Sequence, residues 1–116
     1  MRLAAAAMGL AACQPGSGPT IDQITPAQAM RGATVTLHGD GFCGAGRDAG
    51  DGTCTTLPPG AVDFGLELPA ARATILSWSE GAIDVTVPSS AGIGATDVIV
   101  TVDGRSSNCG AFEVLP

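Results

Sequence analysis

Short apolar alternations of period two, separated by clusters of glycine, proline, aspartate and serine, run along the chain from about residue 20 onward. Such alternation is typical of β-strands with one buried face, and nothing after the N-terminal segment has the spacing of a long amphipathic helix. The pattern predicts seven strands, namely Thr20–Ile24, Thr34–His38, Ala61–Leu68, Arg72–Trp78, Ala82–Val87, Asp97–Val102 and Ser107–Leu115. The positions predicted to face inward are Val35, Leu37, Val62, Phe64, Ile83, Val85, Val87, Val98, Val100, Val102, Phe112 and Val114.

Turn residues and strand number together indicate the fold class. Asp103 and Gly104 tolerate positive φ, so they predict a tight hairpin after the sixth strand. Seven short strands in roughly 100 residues are typical of an immunoglobulin-like sandwich, in which two sheets each bury one face. We therefore predict an all-β, seven-stranded sandwich, with a barrel of similar strand number as the alternative.

The first 13 residues have a different character, with Arg2, an apolar run from Leu3 to Leu10, and small residues before Cys13. This run is shorter than the ~20 residues that a helix needs to cross a bilayer, and its layout is that of a cleaved secretory signal. The stretch Leu10-Ala11-Ala12-Cys13 resembles the bacterial lipobox. That resemblance implies diacylglyceryl transfer to the Cys13 sulfur, cleavage before Cys13, and acylation of the new amino group.

This interpretation divides the chain into a lipoprotein signal peptide (1–12), a flexible tether (13–19) and the folded domain (20–116). Several acyl chains hold a protein durably, because each buried CH₂ contributes ~0.8 kcal/mol. Gln14, by its resemblance to enterobacterial sorting signals, points to the outer membrane. An ordinary secretory signal that happens to contain a cysteine is the alternative.

Blocks of sequence along the domain carry a family resemblance. They are Ile24-Thr25-Pro26, Gly32–Phe42, Val62–Gly65, Ile75–Ser79, Ile83–Pro88 and Asp97–Gly104, with Ser107-Asn108 and Phe112–Val114. In this order, across Pro19 to Leu115, they resemble an IPT/TIG domain. The resemblance implies an early-set immunoglobulin-like fold without catalytic residues, because the family has none of its own. The segment from Cys43 to Gly60 is longer than family members usually carry there.

The four cysteines indicate a disulfide in an exported chain. If Cys13 carries lipid, then Cys43, Cys54 and Cys109 are left for pairing. We favour Cys43 with Cys54, which close a glycine-rich loop, and keep Cys43 with Cys109 and Cys54 with Cys109 as alternatives. The two pairings with Cys109 are feasible because the glycine-rich loop and the predicted hairpin before Cys109 lie at the same end of an immunoglobulin-like sandwich.

The same loop and its approach contain three acids, Asp40, Asp48 and Asp51, whose oxygens could bind a hard cation such as calcium. Their spacing differs from that of an EF-hand and no bidentate glutamate follows, so a solvated acidic loop is the favoured interpretation. We therefore predict no metal and no cofactor. The other acids that alternate outward, Asp63, Asp84, Asp97 and Asp103, are interpreted as solubilising charge.

Charge and composition exclude several functions. The formal charge is −6 and the chain contains no lysine, which argues against a nucleic-acid partner. A serine hydrolase would have to use His38, which alternates outward beside Thr36, and the sequence has no nucleophile elbow. Trp78 is the one residue that could stack on a sugar, yet it lies in a block where the family pattern has a structural aromatic.

The sequence as a whole predicts a non-catalytic binding or structural module displayed on the bacterial cell envelope, with the membrane bound through lipid on Cys13. An envelope protein or polysaccharide is the expected partner. The alternatives are a glycan-binding accessory module of a surface polysaccharide system and, less favoured, a small hydrolase.

Overall fold

The computed structural model describes residues 18–44, 53–54, 59–65 and 71–116. Within these ranges the backbone forms strands and turns, and none of it is helical, so no described helix could cross a membrane. The strands are β1 (Thr20–Thr25), β2 (Gln28–Met30), β3 (Thr34–Asp40), β4 (Gly60–Phe64), β5 (Ala71–Arg72), β6 (Thr74–Trp78), β7 (Ala82–Thr86), β8 (Gly94–Val102), β9 (Arg105–Ser106) and β10 (Gly110–Leu115).

The strands form two sheets. The first sheet has four strands in the order β1-β3-β7-β6, and the second has six, in the order β2-β10-β8-β4-β5 with β9 paired to β8. The pairs are antiparallel except for β2 and β10, which run parallel. The prediction of an all-β fold is confirmed, and the two sheets fit a β-sandwich.

The core lies between the sheets and follows the predicted alternation. All the positions predicted to face inward are buried, and they pack in one cluster with Ile21, Ile24, Phe42 and Trp78. Phe64 and Phe112, from neighbouring parts of the six-stranded sheet, meet edge to face with ring centroids 5.5 Å apart. Because most core side chains are valine, isoleucine and leucine, the core depends on close aliphatic packing.

One predicted strand is in fact two. Residues Arg72–Trp78 were predicted as a single strand, but β5 pairs with β4 in one sheet and β6 pairs with β7 in the other. The chain crosses between the sheets at Ala73, whose N–H donates to the carbonyl of Val62 over 2.9 Å. The edge of the sandwich is therefore covered on this side by a continuous chain.

Other strand boundaries also differ from prediction. β8 begins at Gly94 rather than Asp97, β2 and the short β9 were not predicted, and the last strand begins at Gly110 rather than Ser107. Ser107, between β9 and β10, is 1% exposed, and its hydroxyl accepts the N–H of Val100 and donates to the carbonyl of Asn108. The N–H of Ser107 donates to the carbonyl of Val100 over 2.8 Å, so the hydroxyl takes the place of a backbone acceptor only for the Val100 N–H. Positions 66–68 of the third predicted strand lie outside the described residues.

Asn108 joins the two sheets. Its side-chain oxygen accepts the N–H of Ile21 over 2.7 Å, and its amide nitrogen donates to the carbonyl of the same residue over 3.0 Å. The amide therefore bonds to the backbone of β1 as a neighbouring strand would, at a residue that is also in register with Gly39 of β3. This contact closes the second side of the sandwich.

The predicted hairpin is confirmed. Thr101 pairs with Ser106 and Val102 with Arg105, which leaves Asp103 and Gly104 as the turn. Both have positive φ, 55° and 76° respectively. This is the backbone of a two-residue turn that matches strand twist, and it explains why aspartate and glycine occupy these positions.

Candidate functional site

The clearest local structure outside the core is the disulfide between Cys43 and Cys54, whose Cα atoms lie 5.0 Å apart. Both cysteines are buried, at 2% and 6% exposure. The favoured pairing is therefore confirmed, and the two alternatives in which Cys109 pairs with Cys43 or Cys54 are wrong.

The start of this disulfide loop is fixed to the β6–β7 turn by a buried aromatic pair. Phe42 is fully buried, and its carbonyl accepts the indole N–H of Trp78 over 2.7 Å. Trp78 itself is 6% exposed. The interpretation of Trp78 as a structural aromatic is confirmed, and its ring face is not available for stacking on a sugar.

A carboxylate holds the same segment from the other side. Oε2 of Glu80 accepts the N–H of Gly41 over 3.1 Å, and Oε1 accepts the N–H of Cys43 over 3.0 Å. The backbone carbonyl of Glu80 also accepts the N–H of Phe42 over 3.2 Å. We call Gly41, Phe42, Cys43, Trp78 and Glu80 the loop root. Charge-assisted bonds of this kind are stronger than neutral ones and order the loop where it leaves the sheet.

The sequence did not identify Glu80 as part of this structure. A single acid in a turn looks the same as solvated charge, and only the spatial approach of two backbone amides gives it a role. Thr53, near the other end of the loop, forms an isolated bridge with Ser79. Both ends of the loop thus meet the β6–β7 turn.

The three acids considered for calcium are not brought together among the described residues. Asp40 is exposed at the end of β3, whereas Asp48 and Asp51 lie outside the described residues. The described part of the chain contains no group of three or more His, Cys, Asp or Glu side chains that could hold a metal ion.

The outer face of the four-stranded sheet carries hydrogen-bonded polar side chains. His38 is bonded through Nε2 to the hydroxyl of Thr25 over 2.8 Å. Asp84 accepts hydroxyl protons from Thr36 over 2.6 Å and from Ser77 over 3.0 Å. Asp84 was interpreted as solubilising charge, but it links three neighbouring strands. These side chains form two separate hydrogen-bonded groups, one that links β1 to β3 and one that links β3, β7 and β6.

Asp63 also has a partner that the sequence interpretation missed. Nε of Arg72 donates to Oδ1 of Asp63 over 2.6 Å across the β4–β5 pair. That hydrogen bond and the negative charge of Asp63 raise the pKa of the Arg72 guanidinium above its ordinary value. The pair is on the surface, where such bridges contribute little to stability.

A cleft of about 430 Å³ lies at the end of the sandwich where the chain enters the domain. Its lining residues are Gly18, Pro19, Gly41, Gly44, Val102, Asp103 and Arg105. The disulfide loop and the hairpin were predicted to share one end of the sandwich, and this is confirmed, because a Cβ on Gly44 would lie 2.7 Å from a methyl carbon of Val102. The cleft combines backbone from both segments with one carboxylate and one guanidinium.

Cys13, the signal segment and most of the tether lie outside the described residues, which begin at Gly18.

Comparison with known proteins shows the fold and leaves the function open. No protein-family model and no curated protein matches the chain. Among solved structures, a protein of unknown function from Bacteroides thetaiotaomicron matches 87% of the chain with a TM-score of 0.66 and 18% identity. A DUF4784 family protein from Bacteroides caccae matches 80% of it with a TM-score of 0.53 and 17% identity. The chain spans only 22% and 23% of those two proteins.

Proposed function

We propose that this chain is a non-catalytic binding or structural module with an early-set immunoglobulin-like, IPT/TIG-type fold, held on the bacterial cell envelope by lipid on Cys13. The observation that carries the proposal is the use of its polar side chains. Glu80, Asp84 and His38, which could otherwise serve as acids or bases, are hydrogen-bonded within the sandwich. These side chains hold strands and loops together. Such use is expected in a domain that acts through surface contacts and not through catalysis.

Three further observations support this proposal. The Cys43–Cys54 disulfide suits an oxidising compartment, where disulfides form and persist. The likeness to about a fifth of each of two larger Bacteroides proteins suits a unit of module size. The lipobox resemblance at Leu10–Cys13 supplies the anchor, and Gln14 supports the outer membrane as its destination.

Metabolic labelling with an acyl-chain analogue tests the anchor. Wild-type protein expressed in a bacterial host is expected to take up the label and to fractionate with membranes, whereas Cys13→Ser is expected to lose both properties. Cys109→Ser is the matched control, since it removes a different cysteine and is expected to keep the label.

Two outcomes would contradict the anchor. One is an unlabelled wild-type chain. The other is a peptide in which the Cys13 sulfur is joined to Cys109, because a sulfur in a thioether to diacylglycerol cannot also form a disulfide. Mass spectrometry of a non-reduced digest measures both possibilities in one sample.

A glycan array tests the accessory-module alternative. All four aromatic residues of the chain, Phe42, Phe64, Trp78 and Phe112, are buried, so none is available as a stacking platform. We therefore expect no selective binding of wild-type protein to the array. Binding to a defined glycan class would favour the alternative over the proposal.

A further inference from the structure

One end of the six-stranded sheet presents apolar side chains to solvent. Of the described residues, the exposed large hydrophobic ones are Met30 at 57%, Leu76 at 55% and Ile93 at 51%. Met30 and Ile93 belong to the same end, because Leu115 pairs with Met30 on one side and the preceding Val114 pairs with Gly94 on the other.

Met30 and Leu115 share one face of the six-stranded sheet as well as one end. Val114 and Ala29 are buried on the inner face, so the residues next to them, Leu115 and Met30, point outward by strand alternation. Ile93 precedes Gly94 and is exposed. We call Met30, Leu115 and Ile93 the apolar row, which lies at one end of three neighbouring strands spaced ~4.8 Å apart.

Acidic side chains lie beside the apolar row on the same face. Glu113 is exposed on β10 and pairs with Ala95 and Gln28, and Asp97 lies on β8 opposite Ala111. Among the described residues, neither carboxylate has an ion pair or hydrogen bond. Their neighbours Ala95 and Ala111 are small, so the two carboxylates project beyond the side chains around them.

If the chain is anchored as in the proposed function, on which this point rests, the apolar row lies at the end of the domain that faces away from the membrane. The chain enters the domain at Thr20 and runs along β1 and β2 to Met30 at the other end of the sandwich, roughly 30 Å away. A lipid attached to Cys13 would hold the entry end toward the membrane. The apolar row would then face away from it.

We propose that the apolar row, together with Glu113 and Asp97, is a docking surface for an extended, basic and apolar segment of another envelope polypeptide. Charge complementarity carries this choice of occupant. A second copy of the chain would bring like carboxylates together, and the described cation on this face, Arg72, is bonded to Asp63. Arg31, in the turn after Met30, donates through Nε to the carbonyl of Ala91, a neutral acceptor that leaves its positive charge in place. The two carboxylates outnumber this one cation beside the apolar row, so the surface still favours a basic segment.

Fluorescence anisotropy with defined peptide probes tests the proposal on the full chain in detergent. The probes are labelled decapeptides that alternate lysine with leucine, lysine with serine, and glutamate with leucine. We expect the Lys/Leu peptide to bind most tightly and to weaken as salt is raised, because exposed charge pairs are screened. The double variant Met30→Ser/Ile93→Ser is expected to weaken binding about tenfold.

Charge variants and matched controls complete the experiment. Glu113→Gln and Asp97→Asn are each expected to weaken binding about two- to fivefold at low salt. Leu76→Ser removes an equally exposed apolar side chain from the other sheet, and Asp22→Asn removes an exposed acid from β1. Both controls are expected to bind like wild type.

Several results would overturn the proposal. They are equal binding of all three peptides, no binding of any, or equal losses in the control variants. Failure of the docking proposal can be distinguished from failure of the proposed function. A wild-type chain that takes up the acyl label but shows no peptide preference would support the anchored module and contradict the docking surface. Selective peptide binding by a chain that takes up no acyl label would support the docking surface and contradict the lipid anchor.

Discussion

At the scale of single residues, the most informative side chain is one that sequence reasoning did not select. Glu80 accepts two backbone N–H groups with its carboxylate and a third with its carbonyl, all from Gly41 to Cys43. Backbone amides that leave a sheet need partners, because an unpaired buried N–H costs as much as a lost hydrogen bond. Glu80 therefore supplies the hydrogen-bond acceptors that the backbone N–H groups of the loop root need.

Replacement of this carboxylate is the first prediction. Glu80→Ala leaves the N–H groups of Gly41 and Cys43 without their partner, and we expect the free energy of unfolding to fall by about 2 kcal/mol. Urea denaturation followed by tryptophan fluorescence measures the change, since Trp78 is part of the same structure. Glu113→Ala, which removes an exposed glutamate, is the control and should lie within about 0.5 kcal/mol of wild type. Equal losses in both variants would contradict the role given to Glu80.

The indole N–H of Trp78 is tested separately from its packing. Trp78→Phe keeps an aromatic side chain but removes the donor to the Phe42 carbonyl, so we expect a loss of about 1–3 kcal/mol. Denaturation monitored by circular dichroism measures it, because the variant has no tryptophan. Since the Trp→Phe change also leaves a small void, combining it with Glu80→Ala in a double-mutant cycle is informative. Strict additivity of the two would show that the indole and the carboxylate do not hold the same segment.

At the scale of elements, the sequence predicts some features well and others poorly, for physical reasons. Alternation identifies Val98, Val100 and Val102 as core because side chains in a strand point to opposite faces in turn. Alternation does not identify Ile99, which points to the opposite face and is nevertheless only 9% exposed. Ile99 is buried there because β8 has neighbouring strands on both sides.

Sheet assignment is the element-level property that alternation cannot give. From Ala71 to Trp78 the pattern reads as one strand, and it reads the same whether the chain stays in one sheet or crosses to the other at Ala73. The hairpin at Asp103-Gly104 could be predicted because its positive φ values limit the residue types. The disulfide pairing could be favoured but not fixed, since three cysteines at one end of a sandwich allow more than one pair.

The disulfide loop leads to a prediction at this scale. Cys43 and Cys54 are 11 positions apart in the sequence, and closing a loop of that size stabilises the fold by ~3 kcal/mol, because it restricts the unfolded chain. The double variant Cys43→Ala/Cys54→Ala should lose about this much in urea denaturation. Wild type under reducing conditions is the comparison, and it should lose at least as much. Full retention of stability in both would mean that the loop root alone orders this segment.

At the scale of the whole molecule, the two sheets are joined along both sides. The crossing from β5 to β6 joins them on one side, and Asn108 joins β1 to the segment before β10 on the other. Open strand edges invite pairing with other chains, so natural sheets cover or distort them. Here β1 and β6 also carry register irregularities, at Ile21/Gln23 and Ile75/Ser77. These features leave the outer faces of the sheets, rather than their edges, as the surface for contacts.

Asn108 is the residue with which this closure can be tested. Asn108→Leu keeps the size of the side chain but leaves the N–H and C=O of Ile21 unpaired at a partly buried site, and we expect a loss of about 2 kcal/mol. Amide hydrogen exchange should show the location of the effect. The Ile21 N–H is expected to exchange faster in the variant, whereas the Val85 N–H in the middle of the other strands should change only as much as global stability does. Ser106→Ala, two positions earlier and exposed, is the control and should leave both rates unchanged. If the variant accelerated Ile21 and Val85 equally, β1 would open only with the entire sandwich, and Asn108 would stabilise the fold as a whole instead of closing one side of it.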